Sequence, residues 1–163
     1  MDMKTVFAAT VLLAAFLVAP ARAQADCGDP DQPPCTGPVP TVDEVVAIMD
    51  RLIDPNVPSV EKSDIVTPPY DEHEARKLDV FCNYLRSERI WPINFTVTDI
   101  QPAPNNYAGA TVSNPPSWSE HSGTGPVVLV LQNGHWFITH ESASGRLDQL
   151  SKDHHTRVSP GLL

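Results

Sequence analysis

Residues 127–141 read VVLVLQNGHWFITHE, and this stretch decides how the second half of the chain folds. A run of Val and Leu is followed by Asn133-Gly134, the dipeptide that best fits a two-residue hairpin turn because both positions adopt positive φ angles. Beyond the turn, residues 135–141 return as a strand whose alternate side chains share one face. The stretch therefore predicts two antiparallel strands, 127–132 and 135–141, joined by a tight turn.

Two further strands are predicted before this hairpin. Residues 93–98 (INFTVT) alternate apolar and polar side chains, as a half-buried strand does. Residues 107–113 are small or β-branched, and the Pro- and Asn-rich segment 101–106 forms the turn between the two strands. Residues 114–125 are rich in Pro, Gly and Ser and are predicted to form a long loop. The second half of the chain thus predicts a four-stranded antiparallel meander.

The first half of the domain has helical periodicity instead. Thr41 to Glu44 has the spacing of a capping box, and apolar residues then recur at helical spacing until Asp54-Pro55 ends the helix. A short second helix is predicted over residues 59–66, and a third begins near Asp71 and ends at about Ser87. Helices followed by a meander are typical of an α+β domain, with the helices packed on one face of a curved antiparallel sheet.

The N-terminus has the features of a signal peptide that directs export. Lys4 supplies the positive charge, an apolar run covers residues 6–19, and Ala21-Arg22-Ala23 supplies the small residues of a cleavage site. The run is shorter than the roughly 20 apolar residues of a membrane-spanning helix. We therefore expect cleavage of residues 1–23, no stable membrane insertion afterwards, and a secreted or extracellular protein, with the cell envelope as an alternative location.

The remaining chain divides into three parts. Residues 24–40 are rich in Pro and lack apolar periodicity, which predicts a disordered leader. Residues 41–150 hold the α+β domain, and residues 151–163 are predicted to be a flexible tail. A pairing of Cys27 with Cys35 is suspected because both lie in the leader, whereas Cys82 falls in a helical pattern that predicts a buried free thiol.

Taken together, several segments of the domain are similar to the mycobacterial low-molecular-weight secreted T-cell antigen family, in its C-terminal domain. The similarity covers about residues 41–150. The resemblance implies a cystatin-like or nuclear-transport-factor-like cone, in which a bent sheet wraps a helix, and an exported protein without established enzymatic activity. The segments that carry it are Leu52–Val57, Glu61–Val66, Phe95–Ala103 and the hairpin Asn133–Trp136.

Three aromatic residues are candidates for lining an apolar pocket at the mouth of the sheet. They are Trp118, in the long loop, and Tyr107 and Trp136, in predicted strands. For Trp136 a place in the core is the favoured interpretation, whereas for Trp118 neither interpretation is favoured. The partner would be a protein or a small apolar ligand. A formal net charge of −9 disfavours nucleic acid, because phosphate backbones repel acidic proteins.

No group of residues has the spacing of a catalytic or metal site. The histidines lack the spacing of a zinc motif, and no cofactor is predicted. The favoured interpretation is therefore a non-enzymatic exported protein. The alternative is a small cone-fold enzyme that uses Asp99, as a carboxylate inside the pocket, for general base catalysis.

Overall fold

The first helix begins at the capping box that the sequence predicts. The computed structural model describes Cys27 and residues 31–115 and 123–155, with side chains described as far as Ser151. Helix α1 (Val42–Ile53) starts after Thr41, whose Oγ1 accepts a hydrogen bond from Glu44 N at 3.2 Å, while Glu44 Oε2 accepts one from Thr41 N at 2.8 Å. Its apolar stripe is buried in the core, as the periodicity predicts.

The segment after α1 differs from the prediction of a helix over residues 59–66. A 3₁₀ helix covers Ser59–Asp64 and is followed by a two-residue strand, β1 (Val66–Thr67). The prediction is wrong at its end because Val66 is β-branched and Thr67 precedes a proline, which pushes the backbone towards extended conformations. Helix α2 (Glu72–Ser87) then begins after its predicted N-cap, Asp71.

Four strands follow, and with β1 they form one mixed sheet. They are β2 (Thr96–Ala103), β3 (Tyr107–Ser113), β4 (Thr124–Gln132) and β5 (His135–Thr139). The strand order is β1-β5-β4-β3-β2, with β1 parallel to β5 and the other neighbours antiparallel. The α+β class is confirmed, but a sheet of four antiparallel strands is wrong because β1 adds a fifth, parallel strand. The β4–β5 turn has positive φ angles at Asn133 (51°) and Gly134 (80°).

One face of the sheet carries the core. Cross-strand neighbours on this face are buried, and helices α1, α2 and α3 (His140–His155) contribute to the same apolar cluster. The other face leaves Tyr107 and Val128 exposed. The buried residues of the inner face are Ala108, Ala110, Val112, Val127, Leu129 and Ile138.

The ends of the chain are described only in part. A disulfide joins Cys27 and Cys35. Further along the leader, Pro40 is buried, and a Cβ at Gly37 would lie 3.9 Å from Pro102 Cβ, so this end of the leader lies against the domain. Helix α3 continues to His155, past the predicted domain boundary at residue 150. The predicted signal peptide and residues 156–163 of the predicted tail lie outside the described residues.

Candidate functional site

A half-open cleft of about 240 Å³ lies between α2 and α3. It arises because residues spaced by three, four and seven positions share one face of a helix. On α2 these positions are 74, 77, 78 and 81, and on α3 they are 144, 147, 148 and 151. The lining residues are Tyr70, Glu74, Lys77, Leu78, Phe81, Ser144, Leu147, Asp148 and Ser151.

A polar cluster closes the end of the cleft where both helices begin. The ring of His140 lies beside that of Tyr70, with the two centroids 4.8 Å apart. His140 Nδ1 is 3.2 Å from Pro68 O, and His140 Nε2 is 3.0 Å from Glu74 Oε1. These contacts hold the start of α3 against the first turn of α2.

The partners of His140 define where its hydrogens lie. A carbonyl oxygen only accepts, so Nδ1 is the donor to Pro68 O and carries a hydrogen. The Nε2 contact with Glu74 is strongest as an ion pair, when the ring carries both hydrogens. The second carboxylate oxygen of Glu74, Oε2, accepts a hydrogen bond from Asp71 N at 2.9 Å as part of the α2 capping box.

Tyr70 supplies a buried hydroxyl at this end of the cleft. The pKa of Tyr70 is raised to about 12: burial is the largest cause, the Ser144 hydroxyl acts to lower it, and the negative charge of Glu74 acts to raise it. Tyr70 Oη is enclosed by the protein, and the Ser144 hydroxyl is the neighbour that acts on it by hydrogen bonding. The phenol therefore remains protonated near neutral pH.

Ser151 supplies a second hydroxyl of the same kind. The residue is only 7% exposed, and its Oγ has no hydrogen-bond partner in the described part of the chain. A buried hydroxyl without a partner costs about 1–3 kcal/mol relative to a bonded one. Like Tyr70 Oη, Ser151 Oγ is enclosed by the protein and does not face the open cleft.

Comparison with known proteins places this fold in a family. Residues 38–155 match the family model described as low molecular weight antigen MTB12, C-terminal domain, a range that includes helices α1 to α3 and strands β1 to β5 of the described residues. The chain belongs to this family. The predicted family membership is confirmed.

Individual relatives are mycobacterial. The chain is 32% identical over 111 residues to low molecular weight antigen MTB12 of Mycobacterium bovis, covering 68% of this chain and 66% of that protein. It is 27% identical over 120 residues to the MTB12 homolog of Mycobacterium leprae, covering 70% and 68%. A Mycobacterium leprae protein named as a candidate lipoprotein, LppK, is 34% identical over 68 residues, covering 42% and 34%. The chain thus spans 66% of the length of the first relative.

The structure does not bring the predicted aromatic site residues together. Tyr107 pairs with Val130, which pairs with Phe137, so these three side chains share the outer face of the sheet. Trp136 is adjacent to Phe137 and faces the other side, where it packs against the core. Trp118 lies outside the described residues. Tyr107 and Trp136 therefore do not line one pocket.

The exposure of Asp99 argues against its predicted role as a carboxylate inside a pocket. It is exposed on edge strand β2, at the position where the register with β3 shifts, and has a φ angle of 53°. Its Oδ2 accepts a hydrogen bond from Thr98 Oγ1 at 3.1 Å. The carboxylate belongs to a β-bulge, a local irregularity that sequence periodicity does not reveal.

Lys62 makes buried polar contacts that the sequence analysis did not predict. Lys62 is 0% exposed, and its Nζ donates to Leu52 O at 2.7 Å and lies 3.4 Å from Cys82 Sγ. Leu52 is in the last turn of α1, where carbonyl groups lack partners within the helix, so Lys62 caps that end. Burial raises the pKa of the Cys82 thiol, and the neighbouring Lys62 opposes this shift. Hydropathy treats lysine as a surface residue, so no sequence signal identified this contact.

Proposed function

We propose that this chain is an exported, non-enzymatic member of the MTB12 family that binds a small amphipathic molecule in the α2–α3 cleft. The observation that carries the proposal is the lining of the cleft, in which the apolar side chains of Leu78, Phe81 and Leu147 lie beside the charged groups of Glu74, Lys77 and Asp148. The predicted ligand site at the mouth of the sheet is replaced by this cleft. The cone-shaped folds that the resemblance implies stay a prediction.

Export is supported by sequence and by relatives. Residues 1–23 have the charge, apolar run and small residues of a cleavable signal. Relatives carry names that describe an antigen and a candidate lipoprotein, which fits a location outside the cell or in its envelope. Within the described residues, no helix is long and apolar enough to cross a membrane. N-terminal sequencing of protein from the culture medium should begin at Gln24, and an intact Met1 confined to the membrane fraction would reject export.

A non-enzymatic role is supported by the contacts that Glu74 and His140 make within the chain. Glu74 accepts hydrogen bonds on both carboxylate oxygens, and His140 contacts an acceptor with each ring nitrogen. These contacts tie both side chains to the first turns of α2 and α3, which favours a structural role for them. The relatives with the family name are described as antigens.

Native mass spectrometry of the protein purified from culture medium tests the cleft as a binding site. A small molecule should co-purify with the mature chain and be absent from Leu147→Trp, which fills the cleft with a larger side chain. Val128→Trp is the matched control, because Val128 is exposed on the opposite face of the sheet. The proposal fails if the co-purifying mass is equally present in both variants, or absent from the unmodified protein.

A further inference from the structure

The outer face of the sheet carries no formal charge. This face is formed by the side chains of β1 to β5 that point away from the core, and none of them is Asp, Glu, Lys or Arg. Asp99 occupies the bulge in edge strand β2, where the alternation of side chains is interrupted. Charged residues make up 19% of the chain, whose net charge is −9. The outer face is therefore an uncharged area on an acidic protein.

Tyr107 and Gly109 form a projection and a gap on this face. Both belong to β3 and point outward, while Ala108 between them points into the core. Tyr107 is 38% exposed, and a Cβ added at Gly109 would meet no heavy atom within 4 Å beyond the adjacent residues. On β4, Val130 pairs with Tyr107, and the exposed Val128 pairs with Gly109. An aromatic ring thus stands beside an open notch, with aliphatic neighbours.

This arrangement is complementary to itself. A two-fold axis that lies between two such faces and crosses β3 at Ala108 reverses the strand direction of the second copy. Tyr107 of each copy then lies over Gly109 of the other, and Val128 lies over Val130. Each ring is placed over a gap, as a two-fold dimer with one self-complementary patch requires. Two sheets pack in this way at a spacing of about 10 Å.

Charge and area indicate a weak association between two copies. Two acidic chains repel each other wherever their carboxylates approach, and a contact through the outer face keeps those groups apart. With strands about 4.8 Å apart and about 3.4 Å per residue, the overlap of β2 to β5 covers about 400 Å² on each copy. This is roughly half of what a standard interface buries on each partner, so the dimer forms reversibly and at high concentration.

We propose that the outer face of the sheet is the contact surface of a weak two-fold homodimer, in which Tyr107 of each copy packs over Gly109 of the other. The contact is independent of the α2–α3 cleft, because helices α2 and α3 contribute to the core on the opposite face of the sheet.

Sedimentation velocity of the mature chain, at concentrations from about 10 μM to 1 mM, tests the dimer. The average mass should rise with concentration. Gly109→Glu should raise the Kd by at least about 100-fold, because a carboxylate would be buried where the tyrosine of the other copy packs. Gly145→Glu is the matched control, since it adds the same charge at an exposed glycine of α3 that also has open space around it. It should dimerise like the unmodified chain.

A second variant guards against a folding defect. Gly109 has open space and no positive φ angle, so Gly109→Glu should fold, and a thermal melt checks this. Tyr107→Ala removes the projecting ring without adding bulk, and it should raise the Kd by about tenfold or more.

Salt distinguishes this contact from an ionic one. Raising the NaCl concentration from about 50 to 500 mM screens the repulsion between acidic copies, so the Kd should fall. A Kd that rises with salt would show that the copies meet through charged groups and would overturn the proposal.

Three further results would also overturn it. The mass could stay that of a monomer up to about 1 mM, which would show that no dimer forms. Gly109→Glu and Gly145→Glu could dimerise equally well, which would place the contact on another surface. The chain could sediment as a monomer yet co-purify from culture medium with a different protein that Gly109→Glu does not retain, which would assign the face to that protein instead of a second copy.

Discussion

His140 Nε2 lies 3.0 Å from Glu74 Oε1, a contact between residues 66 positions apart in the chain. It joins the first turn of α3 to the first turn of α2, and the cleft opens beside it. The same Glu74 side chain completes the capping box of α2 through its other oxygen. One carboxylate therefore stabilises the start of α2 and fixes how α3 meets it.

Glu74→Ala should lower the free energy of unfolding by about 1–2 kcal/mol, because it removes a cap worth about 1 kcal/mol and a partly exposed ion pair worth about 0.2–1 kcal/mol. Glu72→Ala is the matched control, since Glu72 is exposed and makes only a surface pair with Arg76. Its cost should stay within about 0.5 kcal/mol. Urea melts of the two variants giving equal midpoints would show that the Glu74 contacts contribute nothing.

Tyr70 should make stability fall at high pH. Its pKa is about 12 in the folded chain against 10.0 for an unperturbed phenol, so between these values the unfolded state loses a proton that the folded state keeps. The contribution of Tyr70 to the free energy of unfolding is fully present below pH 10 and is lost as pH rises towards 12. Between about pH 9 and 11 the free energy of unfolding falls by about 1 kcal/mol. Tyr70→Phe should remove this part of the pH dependence in urea melts. Identical profiles for the two proteins would show that Tyr70 is not buried as described.

Lys62→Met should destabilise the fold despite being a change from a charged to an apolar residue in the core. It leaves Leu52 O without its 2.7 Å donor at the end of α1, a loss of about 1–3 kcal/mol. Arg76→Met, at an exposed position on α2, should change stability by less than about 0.5 kcal/mol. A Lys62→Met protein that unfolds at a higher denaturant concentration than the unmodified chain would contradict the capping role.

Trp136 and Tyr107 should respond differently to truncation, because they lie on opposite faces of the sheet. Trp136 packs against the core, and Trp136→Ala should cost up to about 3–5 kcal/mol. Tyr107 is 38% exposed, and Tyr107→Ala should cost well under half of that. Thermal melts measure both. Similar losses for the two variants would mean that the outer face of the sheet is packed as tightly as the inner one.

Local signals in the sequence predicted much of the fold. The capping box at Thr41, a cap at or near Asp71 and the Asn133-Gly134 turn act between near neighbours, so their residues alone predict where α1, α2 and the β4–β5 hairpin begin. The parallel pairing of β1 with β5 could not be predicted this way. It joins Val66 to Ile138, and a two-residue strand has no periodicity to recognise.

Sequence patterns could not predict the cleft, for a related reason. Its lining combines two helices from distant parts of the chain, and each residue has an ordinary local explanation: Glu74 as a capping residue, Leu147 as part of an apolar stripe and His140 as the end of a strand. The aromatic residues were chosen as site candidates because of their residue type. Residue type does not determine which face of a strand a side chain occupies.

The most direct test of the cleft is a titration of the methyl-labelled mature chain with 1-octanol, a small amphipathic molecule, followed by NMR. The methyl resonances of Leu78 and Leu147, which line the cleft, should shift progressively with added ligand. Those of Val128, on the outer face of the sheet, should stay in place. Shifts at Val128 with none at Leu78 and Leu147 would place the ligand site on the sheet and contradict a binding role for the α2–α3 cleft.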